Sequence, residues 1–153
     1  MSVSEEHALA YVRICRDHLP ALVAMEEASY PDPWNLGMFT QEITGQSSHF
    51  YVALRDGEMV GYAGFWLLLD EAHITKITVA GNERRKGHGQ ALLEFLMDRA
   101  RALDAKTVRL EVRTSNVAAR GLYQRNGFQE VGVRKGYYAR SGEDAVVMVK
   151  NLE

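Results

Sequence analysis

Little in this chain serves for cross-linking or anchoring. A single cysteine, Cys15, stands among 153 residues; it excludes an internal disulfide and a cysteine-cluster metal site, and suits a reducing compartment. Cys15 then reads as a small buried hydrophobe. No apolar run approaches the roughly 20 residues that cross a bilayer. The longest, Phe65 to Leu69 extended back through Ala63 and Gly64, has the length of a strand. The opening MSVSEEHALA carries two glutamates where a secretory signal needs a basic start and then an apolar stretch. The expectation is a cytoplasmic protein with no membrane partner. Charge of one sign is scarce too: 18 basic and 20 acidic side chains leave a net charge of -2, which does not favour non-specific nucleic-acid binding and makes any anion site local. No repeat, low-complexity tract or linker marks a boundary, and 46% hydrophobic residues suffice for one core. The chain reads as one domain over 1–153.

Periodicity gives the elements. HALAYVRICR alternates as a strand, and HLPALVAMEEASY has helical spacing and stops before Pro31 and Pro33, which cannot continue a helix. LGMFTQEITG is a short helix closed by Gly45. HFYVALRDGEMVGYAGFWLLL is a hairpin turning at Asp56-Gly57, a dipeptide that tolerates positive φ. EAHITKITVA is a strand whose strict alternation puts His73, Thr75, Ile77 and Val79 on one face and Ile74, Lys76 and Thr78 on the other. A long helix, the strand KTVRLEVR, a helix from Ser115 or Asn116 to Gly127, and the strands FQEVGVRKGYY and DAVVMVKNL complete the chain. The order β-α-α-β-β-β-α-β-α-β-β is that of an α/β fold, with a right-handed crossover expected from Glu71 to Arg113.

The stretch ERRKGHGQALLEFLMDRARAL, from Glu83 to Leu103, puts three cations and two glycines in front of that long helix. A helix start has unpaired N–H groups and a fractional positive charge, and glycine lets an oxyanion approach the backbone, so the turn suits a phosphate. It is not a P-loop, which needs Lys and Ser or Thr after the second glycine. Nor is it the dinucleotide fingerprint, because Leu92 stands where a third glycine is required. His88, between the glycines, reads as a solvent-facing cap.

What remains, Arg84-x-x-Gly87-x-Gly89 after a strand and before a helix, resembles the pyrophosphate loop of the GNAT acyltransferases. The element order resembles that fold over nearly the whole chain: a mixed sheet of about seven strands flanked by four helices. The resemblance implies acetyl-CoA as co-substrate, gripped by Arg84, Arg85, Lys86, Gly87, His88, Gly89 and Gln90. It further implies that a backbone N–H in the Ile77, Thr78, Val79 stretch polarises the thioester carbonyl. No metal is implied.

LEVRTSNVAARGLYQRNGF, from Leu110 to Phe128, is similar to the matching run of the bacterial ribosomal-protein-alanine N-acetyltransferases. PWN at Pro33 to Asn35, DEAHITKITV from Asp70 to Val79, and the tyrosine pair followed by EDAVVM support the same subfamily. By this likeness Glu111 is the base, Asn116 a cofactor contact, and Tyr123 both a cofactor contact and the group facing the leaving sulfur. Glu111 also has a plain alternative as ion-pair partner of Arg109 and Arg113, and Tyr123 as an aromatic packed beside Ala119 and Phe128. The chemistry agrees with an α-amine acceptor: with a pKa of ~8, roughly a tenth of such amines are neutral at pH 7, so a weak base suffices. A phenol is a weaker acid than a thiol, so Tyr123 is expected to hydrogen-bond the sulfur rather than protonate it fully.

The implied acceptor is a protein N-terminus, that of the eighteenth small-subunit ribosomal protein, lying between walls formed by Trp34, Tyr137 and Tyr138; each of these also reads as a core or edge residue. Ala139 stands where the subfamily often has proline after the tyrosine pair. Two other readings use the same cofactor loop: a polyamine or drug acetyltransferase, for which Glu26, Glu27 and Asp32 could supply an acidic pocket, and a non-catalytic acyl-CoA sensor.

Overall fold

A computed structural model describes residues 8–83 and 87–153. Its described elements, in chain order, are β1 (Ala10–Arg13), α1 (Leu19–Ser29), α2 (Leu36–Thr44), β2 (Ser48–Arg55), β3 (Glu58–Leu68), β4 (Glu71–Val79), α3 (His88–Ala102), β5 (Thr107–Arg113), α4 (Val117–Arg125), β6 (Gln129–Tyr138) and β7 (Glu143–Asn151). The strands form one seven-stranded sheet in the order β1-β2-β3-β4-β5-β7-β6. Pairing is antiparallel except between β4 and β5, the strands joined through α3.

Alternation on the central strands feeds two cores. Tyr51 and Ala53 of β2 face Leu92, Leu93 and Leu96 of α3, whereas Phe50 and Val52 pack with Leu22 of α1 and Phe39 of α2. The helices therefore cover both faces of the sheet. The β2–β3 turn has Asp56 at φ 53 and Gly57 at φ 83, the positive dihedrals its dipeptide suggested. Gly64 is required by packing: a Cβ there would lie 2.4 Å from Phe50 Cδ2. Asn35 caps α2 by accepting from Met38 N at 2.9 Å. Asn35→Ala is expected to cost about 1 kcal/mol in urea unfolding.

Two expectations are corrected. Cys15 is exposed: Ile14 takes the last buried place after β1, its N–H donating to Phe50 O at 3.0 Å, and the chain then turns outward. The faces of β4 also differ from strict alternation. The β3–β4 register steps from Gly64↔Lys76 to Phe65↔Ile74, so a bulge falls at Thr75. Ala72, Ile74, Ile77 and Val79 consequently all pack toward α3. Lys76 instead reaches Glu26 of α1, and Thr78 reaches Tyr30 at the end of that helix.

Candidate active site

The β4–β5 ladder has three pairs, from Glu71↔Thr107 to His73↔Arg109, and stops there. Beyond His73 the two strands no longer pair with each other. A cavity of about 590 Å³ occupies the opening, walled by the α1–α2 connection, the facing parts of β4 and β5, the start of α4 and the β6–β7 turn. Glu111, Tyr123, Asn116, Trp34, Tyr137 and Tyr138 all line it, with Ile77 from β4. Residues far apart in sequence thus share one space.

Glu111 points into this space from β5, its side chain only 4% exposed. Its Oε1 accepts from His73 Nε2 at 2.6 Å and from the Tyr137 hydroxyl at 3.3 Å. Arg109 Nη1 lies 3.7 Å from Oε2, yet that oxygen is buried without a hydrogen-bond partner among the described residues. Arg109 Nη2 also lies 3.4 Å from His73 Nδ1. Burial by itself would raise the Glu111 carboxyl; the His73 hydrogen bond, with the charges of His73, Arg109 and Arg134, outweighs it and holds the group below the ordinary carboxylate range. Of the two arginines expected beside Glu111, only Arg109 is there. Arg113, at the end of β5, reaches Asp32 at 3.0 Å and Glu143 at 3.4 Å, and stacks 3.8 Å from the Tyr138 ring centroid.

Tyr123 is 7% exposed and packs edge-on against Phe128 at 5.7 Å. Its hydroxyl has no hydrogen-bond partner among the described residues. Burial, then the neighbouring Tyr30 and Tyr138, push the phenol well above its ordinary value. Such a group donates a hydrogen bond and keeps its proton. Asn116 caps α4 by accepting from Ala119 N at 3.1 Å.

Trp34 serves both as core and as wall, its ring 5.2 Å from Phe39 while it lines the cavity. Its N–H donates to Glu26 at 2.9 Å. Opposite, Tyr137 and Tyr138 meet edge to face at 5.0 Å, and burial pushes the Tyr138 phenol up to about 12. Asp32 ties the two walls together, accepting from the N–H groups of Arg140 and Ser141 at 2.7 and 3.1 Å. The acidic pocket considered for a polyamine does not form. Glu26 is taken by Lys76, Asp32 by Arg113, and Glu27 is exposed outside the cavity lining.

The helix start is partly described. Arg84, Arg85 and Lys86 lie outside the described residues. Gly87 is in the left-handed region at φ 82 and precedes α3, a conformation glycine adopts without strain. His88 is buried rather than solvent-facing: Glu83 accepts from its Nε2 at 3.2 Å and also binds Arg55 at 2.8 Å, which draws the ring inward. Gly89 faces Leu122 of α4, and Gln90 exchanges hydrogen bonds with Asn126 at 2.8 Å. Thr78 is buried, its hydroxyl 2.7 Å from that of Tyr30.

Among the cavity residues that sequence reasoning missed are His73, Lys76, Glu42 and Trp66. His73 was legible only through its register opposite Arg109, two places from Glu111. Lys76 was hidden by the bulge, and Glu42 by its place in a short helix with no motif.

The site thus lies where the parallel β4–β5 pair stops pairing, with a carboxylate and a phenol in its lining and a helix that starts after Gly87 following β4. The acetyltransferase (GNAT) family matches residues 19–128, and the chain belongs to that family, whose members transfer acetyl groups from acetyl-CoA. It is 36% identical over 132 residues to the ribosomal protein bS18-alanine N-acetyltransferase of Escherichia coli (strain K12), covering 85% of this chain and 88% of that protein. It is 40% identical over 121 residues to the N-alpha-acetyltransferase RimI of Mycobacterium tuberculosis, covering 76% of this chain and 75% of that one. The crystal structure of the Escherichia coli ribosomal-protein-S18-alanine N-acetyltransferase superposes with a TM-score of 0.86 at 32% identity over 95% of each chain. The activity is N-acetyl transfer from acetyl-CoA.

Proposed function

We propose that this chain acetylates the N-terminal α-amine of a protein, the alanine-starting small-subunit ribosomal protein bS18 being the acceptor that its relatives' names suggest. The observation that carries the reading is the buried Glu111 Oε2, which has no hydrogen-bond partner among the described residues, in the same cavity as the Tyr123 hydroxyl. In this reading Glu111 holds the incoming amine, or the water beside it, and accepts its proton. Tyr123 donates a hydrogen bond to the departing sulfur. Acetyl-CoA supplies the activated acetyl group; its pyrophosphate is assigned to residues 84–90, and its remaining contacts to Asn116 and the Ile77–Val79 backbone. The end of the β4–β5 ladder at His73 supports this fit, because it opens the sheet next to β4. Trp34, Tyr137 and Tyr138 wall the acceptor groove. The enzyme is assigned to the cytoplasm as one acetyltransferase domain over 1–153; among the described residues no helix is long and apolar enough to cross a membrane.

Mass spectrometry of an alanine-starting ribosomal peptide, its N-blocked form and spermidine, each with acetyl-CoA, tests the reading. Acetylation of the free peptide alone is expected; acetylation of spermidine alone would move the enzyme to the small-amine class, and none at all would favour a sensor. Tyr123→Phe should lower kcat about tenfold to a hundredfold, the worth of one hydrogen bond to a charged atom. An unchanged kcat would remove Tyr123 from the reaction.

A further inference from the structure

Each carboxylate around the cavity but one has a cation beside it among the described residues. Glu26, behind Trp34, has Lys76 at 2.6 Å; Asp32 has Arg113 at 3.0 Å; Glu111 has Arg109 at 3.7 Å. Glu42, on α2, also lines the cavity and is 4% exposed, yet no cation among the described residues pairs with it. Its carboxylate accepts from Ser48 Oγ at 2.9 Å and from Trp66 Nε1 at 3.0 Å, both neutral donors. Burial outweighs those bonds and pushes the carboxyl above its ordinary value. An uncompensated carboxylate at a cavity wall is costly, and a cation that reaches it removes the cost.

Trp66 gives that cation an approach. Its indole N–H is held by Glu42, and the residue is 39% exposed and lines the same cavity. An exposed indole face attracts ammonium and guanidinium groups. The ring centroid is 6.0 Å from that of His73, which bonds Glu111. An extended peptide advances about 3.3–3.6 Å per residue, so this wall lies one or two residues beyond an amine held at Glu111.

We propose that Glu42 and Trp66 form a specificity subsite that takes the cationic side chain of a lysine or arginine at the second or third position of the acceptor. The subsite rests on the reading of the acceptor as a peptide N-terminus. The lysine and arginines of the lining, Lys76, Arg113 and Arg140, make no ion pair with Glu42 among the described residues: Lys76 and Arg113 have carboxylates of their own, and Arg140 sits at the β6–β7 turn, where its backbone N–H donates to Asp32.

The test is a set of alanine-starting peptides carrying arginine, lysine, citrulline or glutamate at position two, and the same set at position three, with spermidine alongside. Citrulline keeps the shape of arginine and removes its charge. In the unaltered enzyme kcat/KM for arginine over citrulline should reach about tenfold at one of the two positions, with glutamate the poorest. Glu42→Gln should bring that ratio to near one, and Trp66→Leu should reduce it. The ratio in the unaltered enzyme needs no variant, so a misfolded variant does not rescue the idea. Equal use of arginine and citrulline at both positions would overturn the subsite and leave N-terminal acetylation standing. A ratio that survives Glu42→Gln would also overturn it. Acetylation of spermidine with none of the peptides would overturn the peptide acceptor itself, and the subsite with it.

Discussion

Glu111→Gln is expected to lower kcat/KM for an N-terminal peptide by about two to four orders of magnitude, the range for loss of a positioned acid–base group. The amide still accepts from His73 Nε2 and Tyr137, so the cavity keeps its shape while Oε2 loses its charge and its lone pair. The surrounding cations make the carboxylate a weak base, which is enough for an amine already about a tenth neutral at pH 7. The sign of the pH effect follows. A carboxyl held below its ordinary range stays ionised across neutral pH, so the rise of kcat/KM with pH should track the amine near ~8 and show no Glu111 inflection above ~5. The same depression adds stability that is present above the unfolded carboxyl's pKa and is lost as pH falls through the folded one. Steady-state rates of both forms between pH 5 and 9 check this. A Glu111→Gln enzyme within a few fold of the unaltered rate would return Glu111 to a plain ion-pair role.

Lys76→Met should be the most destabilising of the site substitutions, costing about 3–5 kcal/mol, because it strands a buried carboxylate. Glu26 is 0% exposed and has three donors: Lys76 at 2.6 Å, the Tyr62 hydroxyl at 2.7 Å and Trp34 N at 2.9 Å. Burial and Glu26 hold the proton on Tyr62, so that hydroxyl donates. Lys76 also lies 4.3 Å from the Tyr30 ring centroid and 5.0 Å from that of Trp34, so its loss loosens the acceptor wall. Adding Glu26→Gln to Lys76→Met should recover most of the loss, since the amide has no charge to strand: its one oxygen accepts from Trp34 N, and its NH2 donates to the Tyr62 hydroxyl, which turns its own proton away. Urea unfolding of the two single variants and the double variant measures the coupling. Additive losses would mean that the pair is not a unit.

Local rules carried much of the architecture. The Asp56-Gly57 turn, the stop before Pro31 and the asparagine start of α4 are each decided within a few residues, and the structure has them. The insertion of β7 between β5 and β6 is a long-range pairing that no local signal announces. The bulge at Thr75 was equally hidden, and it determines which β4 side chains face the cavity. Glu111, Asn116 and Tyr123 were singled out by resemblance within one contiguous motif, and the fold places all three on the cavity lining. His73 comes to Glu111 from another strand, and Glu42 and Trp66 meet across 24 residues, so their roles appear only once the chain is folded. His88 was misread because its bond to Glu83, five residues earlier in the same stretch, forms only once the turn is folded.

The central claim, acetyl transfer to an α-amine, is tested most directly by a peptide that carries both a free N-terminal alanine and an internal lysine. After reaction with acetyl-CoA at pH 7, fragmentation mass spectrometry should find the acetyl group on the N-terminal alanine and the lysine unmodified. Acetyl on the lysine with a free N-terminus would contradict the account.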